Sequence, residues 1–257
     1  MNARAESDGS SSYEALWPLS RLRVRAGAIE LRPPTDDDLP ALAALVPPEA
    51  GHDPSLPITG VSTPHAIAAQ AVLRQVWRSR AELAPAQWRI CLAAYVDGVL
   101  VGQQDLKADD FPRRRIVETS SWLGAEHRRQ GHGKAMRALA LHLAFEGLGA
   151  VAVESESADG NDAALGITRS LGYSPSGDTY EVHDGVVTHM LWSRLTRERW
   201  ALHRQGYGLG PVECEGVDGC RRLIGLPATD PQPTADRGRP SNGIARQSAP
   251  TGQPTPA

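Results

Sequence analysis

The sequence predicts an α/β fold built on an α+β mixed sheet with helices on both faces, and three features of the chain carry that reading. Asp97-Gly98 and Asp184-Gly185 each separate two strand-like apolar runs. A two-residue Asp-Gly link between such runs is the strongest short-range sign of an antiparallel hairpin. Between them, residues 115–123 read as a strand that enters a glycine-bearing turn, then a helix, then a new strand through Val151 and Val153. That is a β-α-β step, which places its two strands parallel. Hairpins and a crossover in one segment imply a single sheet of mixed direction.

Taken in order, residues 1–16 are polar and Ser-rich and are expected to be disordered. The folded domain is expected over 17–226, with Trp17 and Leu19 the first packing candidates. Residues 28–32 alternate as a short strand, stopped by Pro33-Pro34. Thr35 followed by Asp38 is a capping-box variant before the apolar helix 39–46. Five prolines and two glycines make 47–65 a loop. A helix is expected over 66–83, with Ile67, Ala71, Arg74, Trp77 and Arg78 along it. Strands 88–96 and 99–106 form the first hairpin, and 107–114 read as a charged loop. In the helix 134–145, Met136, Leu139, Ala140 and Leu143 fall at i, i+3, i+4, i+7, and Gly147 ends it. Residues 161–171 read as a second short helix, closed by Gly172-Tyr173. Strands 179–182 and 186–195 form the second hairpin, and 196–204 a helix capping the sheet. From Pro227 the composition changes: residues 227–257 hold seven prolines, no aromatic and one large aliphatic, Ile244. They cannot bury enough to offset ordering and read as a disordered, Pro-rich tail.

The 257 residues carry 27 basic and 30 acidic side chains, a net charge of -3, which gives no basic footprint for nucleic acid. Cys91, Cys214 and Cys220 are too few and too scattered for a disulfide framework or a zinc site, so no metal is expected. No apolar run reaches the length of a membrane span, and the N-terminus lacks the apolar stretch of a secretion signal. The expectation is a cytoplasmic protein without a membrane or nucleic-acid partner. Whether it forms a homodimer stays open.

The turn after residue 123 holds the chemistry. It reads Arg-x-x-Gly-x-Gly at Arg128, Gly131 and Gly133. A strand leading through such a turn into a helix aims free backbone N–H groups and the positive end of the helix dipole at one spot, which suits a phosphate. Two nucleotide readings fail on spacing. A dinucleotide fingerprint needs glycine at 136, which is Met; a P-loop needs Gly at 128 and Ser or Thr at 135, which are Arg and Ala.

The pattern resembles the pyrophosphate-binding motif of the GNAT superfamily of N-acetyltransferases. The element order is similar to that family's. So is Asn161 followed by Ala164, Ile167, Leu171 and Gly172-Tyr173. The segments Val117-Glu118-Thr119, Ser121-Trp122-Leu123-Gly124 and Leu165-Gly166-Ile167-Thr168-Arg169 look like members of the RimJ/RimL-type subgroup. The resemblance implies the GNAT acyl-CoA N-acyltransferase fold and an acyl-CoA co-substrate, most simply acetyl-CoA. The acceptor would be a primary amine on a small molecule, a protein N-terminus or a lysine, attacking directly in a ternary complex. A succinyl-CoA donor, or a CoA-binding module without catalysis, are the alternatives.

It also implies roles for residues. Backbone N–H groups of Arg129, Gln130, Gly131, His132, Gly133 and Lys134 would hold the pyrophosphate, with the side chain of Arg128 or Arg129 reaching a phosphate. In the family the strand ending at Trp122-Leu123 splays from its neighbour, and the pantetheine arm pairs with the freed edge. The Leu123 N–H is then the oxyanion donor. Trp122, Asn161 and Arg169 are carried over as further CoA contacts, although Asn161 is also an ordinary helix N-cap. Glu118, Ser120 and Trp122 alternate onto one face, which makes Glu118 the candidate base for the amine proton. Thr168 stands where many members carry a general-acid Tyr. Glu154 and Glu156 are open as receivers of a cationic substrate, and Trp77 and Trp88 as pocket or core.

Overall fold

The computed structural model describes residues 9–50, 53–183 and 186–227. Its strands are β1 (Arg23–Ala26), β2 (Ile29–Arg32), β3 (Gln87–Val96), β4 (Val99–Asp109), β5 (Ile116–Leu123), β6 (Ala152–Ala158), β7 (Ser174–His183), β8 (Val186–Thr196) and β9 (Glu213–Glu215). They form one sheet in the order β7-β8-β6-β5-β4-β3-β2-β1-β9. Among the described strands only β5 and β6 pair in parallel. The helix α5 (His132–His142) makes that crossover.

The first hairpin turns at Asp97 (φ 50°) and Gly98 (φ 77°), the two positive dihedrals that a two-residue turn needs to follow strand twist. β7 and β8 pair on either side of Asp184-Gly185, where a turn was expected and which lie outside the described residues. Residues 1–8 and 228–257 also lie outside them.

β3 is buried on both faces. Ile90, Leu92 and Ala94 meet Met136, Leu139 and Leu143 on the α5 side. Cys91, Ala93 and Tyr95 meet α2 (Leu39–Leu45) and α3 (Pro64–Ala81) through Leu42, Val72 and Val76. Each large side chain so buried stabilises by roughly 1.5–3 kcal/mol. α2 is pinned by charge as well. The Asp38 carboxylate accepts from Arg32 Nη1 at 2.7 Å, from Tyr95 Oη at 2.7 Å and from the Thr35 N–H at 2.7 Å. Burial alone would raise the Asp38 pKa; these hydrogen bonds outweigh it and hold the carboxyl well below its usual range.

Several stretches depart from the sequence expectation. Gly9–Leu16, placed in a disordered leader, form helix α1, closed by the Trp17 N–H on the Tyr13 carbonyl (2.7 Å) and tied down by a Glu14–Arg21 ion pair. α3 begins at Pro64 rather than residue 66, because Thr63 caps it and proline suits its first turn. The loop expected over 107–114 is mostly structured. β4 runs on to Asp109, and Phe111–Arg114 make the short helix α4, anchored by Phe111 edge-on to Trp88 at 5.4 Å. β1, β9 and the C-terminal helix α8 (Val217–Leu223) were not read at all. Helix α7 (Arg197–His203) lies where one was expected. After α5 the chain widens into a π turn, Leu143–Gly147, whose carbonyls at Phe145 and Gly147 accept from Arg197 and Arg221.

Candidate active site

The parallel ladder between β5 and β6 is short. Its register is Ile116↔Ala152, Val117↔Val153 and Glu118↔Glu154, and then it stops. β5 continues to Leu123 against β4, while β6 continues to Ala158 against β8. The two strands therefore splay, and a cleft opens in the plane of the sheet beyond Glu118. The Gly124 N–H donates to the Val101 carbonyl at 3.0 Å. By alternation, the backbone groups of Trp122 and Ser120 also face β4, and those of Leu123, Ser121 and Thr119 face the opening. The Leu123 carbonyl accepts from Arg128 Nε at 3.2 Å on that side.

The turn from β5 to α5 supplies the second half of the site. Arg129 (φ 59°) and Gly131 (φ 85°) are both left-handed, which curls successive N–H groups into a concave nest. α5 starts at His132 with no side-chain cap, and its first internal bond runs from Ala135 N–H to the Gly131 carbonyl. The N–H groups of His132, Gly133 and Lys134 thus have no acceptor within the helix. Gly133 has a packing role too. A Cβ there would lie 3.1 Å from Ile167 Cδ1 and 3.5 Å from Leu123 Cδ1, so the glycine lets α5 close onto helix α6 (Asp162–Ser170) and the end of β5.

The other donor-side candidates are placed less centrally. Arg128 also reaches Glu49 at 2.6 Å, so its guanidinium is engaged with the segment that follows α2. Gln130 Nε2 donates to the Glu126 carbonyl at 2.8 Å. Asn161 is the α6 N-cap, accepting from the Ala164 N–H at 3.1 Å. Arg169 is exposed on the last turn of α6. Trp122 turns its backbone to β4 and packs its side chain on the α2–α3 cluster.

Glu118 faces the α2–α3 side. Its carboxylate pairs with Lys107 Nζ at 2.8 Å. Beside it a cavity of about 330 Å³ is lined by Asp53, Arg78, Trp88, Arg89, Lys107 and Glu118 among others. Trp77, considered for this pocket, is 50% exposed on α3, whereas Trp88 is buried in the core. On β6, Glu154 is held by Arg194 (Nε to Oε1, 2.8 Å). Glu156 is the contrasting carboxylate: its Oε1 is buried with no hydrogen-bond partner among the described residues. Burial first, then Glu181 and Glu118, raise its pKa against the pull of Lys107.

Arg137 was missed by the sequence reading. It sits on α5, 6% exposed, and donates to Ser155 on β6 and Ser121 on β5. The signal was present: from Met136 to Phe145 only Arg137 and His142 interrupt an apolar helix, and such a charge must be satisfied inside.

A family profile described as acetyltransferase (GNAT) domain matches residues 28–174, more than half of the chain. The chain belongs to the GNAT acetyltransferases. Acyl transfer from acyl-CoA to an amine is that family's chemistry. Solved structures share the fold. RimJ from Mycobacterium smegmatis, in complex with CoA-disulfide, superposes with TM-score 0.59 at 21% identity, covering 73% of this chain and 90% of that one. A GCN5-related N-acetyltransferase from Brucella melitensis gives 0.56 at 18%, covering 72% and 83%. A spermidine N-acetyltransferase SpeG chimera from Vibrio cholerae and hSSAT gives 0.52 at 14%, covering 68% and 99%.

Proposed function

We propose that this GNAT protein is an N-acyltransferase that binds acyl-CoA along the open edge of β5 and transfers the acyl group to a primary amine held on the α2–α3 side. The observation that carries this is a juxtaposition. An uncapped helix N-terminus with a curled nest of N–H groups begins just beyond a strand edge whose alternate amides face an open cleft. A diphosphate suits the first, and an amide-bearing extended arm suits the second.

In this reading the amides of residues 129–134 hold the pyrophosphate, and Arg128 or Arg129 adds a charge-assisted contact. The Leu123 N–H donates to the thioester oxygen as charge develops there. Glu118 takes the proton from the amine, directly or through water. The new C–N bond forms as the C–S bond breaks, and the sulfur leaves as the thiol after taking up a proton. Asn161, Arg169 and Trp122 are proposed as peripheral cofactor contacts. Glu156 is a second candidate base, favoured by its unpartnered Oε1 on the same face as Glu118. Acetyl is the simplest acyl group and succinyl the other expected one. Spermidine N-acetylation by the chimera and the acidic face of Glu118 and Glu156 support a small cationic amine among the acceptors.

Thiol release from acetyl-CoA and succinyl-CoA, measured over a panel of polyamines, lysine, aminoglycosides and N-terminal peptides, tests the proposal. Release with at least one amine is expected. Tight binding of acyl-CoA with no release across the panel would make the chain a CoA-binding module instead.

A further inference from the structure

The polar cluster beneath the splay is rich in donors and poor in acceptors. Arg137 gives Nε to Gln104 Oε1 (3.3 Å), Nη1 to Ser155 Oγ (3.0 Å) and Nη2 to Ser121 Oγ (2.9 Å). Gln104 is fixed in that sense, because its Nε2 already donates to the carbonyls of Ser120 (2.8 Å) and Asp105 (3.0 Å). All three acceptors are neutral, and among the described residues no carboxylate pairs with Arg137. A buried cation is normally matched by an anion. The two serine oxygens accept from Arg137, which leaves their hydroxyl hydrogens to be given elsewhere. Tyr173, 6% exposed, has an Oη with no hydrogen-bond partner among the described residues. It lies near enough to Arg137 and Thr119 for both to act on its ionisation, though burial dominates and raises its pKa.

The place of this cluster gives it meaning. The β5–β6 ladder closes at Glu118–Glu154; Ser155 is the next residue on β6, and Ser121, an exposed residue, lies on the open edge of β5. Arg137 thus bridges the two arms where they diverge. An arm that starts at the α5 N-terminus and follows β5 backwards passes Leu123 before Ser121. Its acyl end therefore arrives at the cluster.

We propose that Arg137, with Ser121, Ser155 and Tyr173, forms an anion-recognition site at the acyl end of the cleft. The donor it selects is a CoA thioester whose short acyl chain ends in a carboxylate, such as succinyl-CoA. This rests on the acyl-CoA reading above and adds the donor class to it. Each terminal guanidinium nitrogen keeps an N–H to give, the fork geometry that suits a carboxylate. A neutral acyl chain would leave the same donors unmatched.

Calorimetry on the full chain with CoA, acetyl-CoA, butyryl-CoA and succinyl-CoA reads this directly. Succinyl-CoA should bind at least about tenfold tighter than butyryl-CoA, the uncharged chain of similar length. Arg137→Gln should erase that preference while leaving CoA itself within about twofold. Should that variant fail to fold, Tyr173→Phe and Ser121→Ala keep the guanidinium, and each should weaken the preference without changing CoA affinity. Equal binding of succinyl-CoA and butyryl-CoA overturns the assignment, as does a preference that survives Arg137→Gln. An Arg137→Gln loss shared equally by all four ligands would show a strut between the strands and also overturn it. CoA-loaded protein that binds an α-amino acid more tightly than its amide, with no donor preference, would assign the carboxylate to the acceptor and overturn it too. Binding of none of the four overturns the acyl-CoA reading itself.

Discussion

The two sides of β5 are built by different means. Towards the cleft and the start of α5, the binding groups are backbone amides, set by the left-handed Arg129 and Gly131 and by strand alternation. Towards α2 and α3, the groups are side chains from distant segments: Asp53 and Arg78 from the loop and α3, Arg89 and Lys107 from β3 and β4, Glu118 from β5. Backbone geometry tolerates changes in side-chain identity and is fixed by a few glycines. A side-chain pocket depends on every residue type lining it. A donor common to many enzymes fits the first kind of site, and an acceptor particular to one enzyme fits the second.

The largest expected effect falls on the side-chain side. Glu118→Gln keeps the shape and removes the basicity, so kcat should drop roughly 10²- to 10⁴-fold with acyl-CoA affinity unchanged. Loss of the Lys107 pair costs little at a partly exposed site, so the melting temperature should hold. A folded Glu118→Gln protein with wild-type kcat moves the role to Glu156. Burial raises the pKa of that carboxyl, which is active as a base only when ionised. The rate would then fall as pH drops through its raised pKa, and Glu156→Gln would remove that limb.

Asp38→Asn asks whether the acceptor side has a rigid floor. Removing the charge leaves Arg32 without its closest carboxylate, and a loss of about 2–3 kcal/mol in unfolding free energy is expected near neutral pH. The native carboxyl ionises below its unfolded value. Its contribution is therefore present above the usual carboxylate range and fades as pH falls through it. The mutant and wild-type denaturation curves should converge in acid; a constant gap down to pH 2 would contradict the ion-pair account.

Gly133→Asp strikes the backbone side. It places a carboxylate where the α5 N-terminus meets phosphate and crowds Ile167. Acyl-CoA affinity should fall at least about tenfold, on the order of 1.4 kcal/mol. Unchanged affinity by calorimetry would put the cofactor elsewhere.

The same division explains what the sequence disclosed. Gly131, Asp97-Gly98 and the apolar stripe of α5 are local signals of local geometry and appear in the structure, although α5 starts at His132 rather than residue 134 and so takes Gly133 into its first turn. β1 and β9 escaped because four and three residues are too short to show a period, and β9 is an exposed Glu-Cys-Glu edge. Gly9–Leu16 escaped because their helix depends on Trp17 and Arg21 beyond its end. Trp77 was weighed for the pocket because nothing in the local pattern says which face of α3 meets the sheet. Arg137 and Ser155 lie far apart in sequence, and only the crossover brings them to one cleft. Lys107 was expected in a loop, and only the longer β4 sets it across from Glu118.

Amide hydrogen exchange with and without CoA tests the backbone-built donor site most directly, since it reads the N–H groups themselves. The account predicts slowed exchange at Ser121, Leu123 and residues 129–134, with the amides of α3 and the 53–55 loop unchanged. Protection confined to the α2–α3 side, or none in the 121–134 segment at saturating CoA, would contradict it.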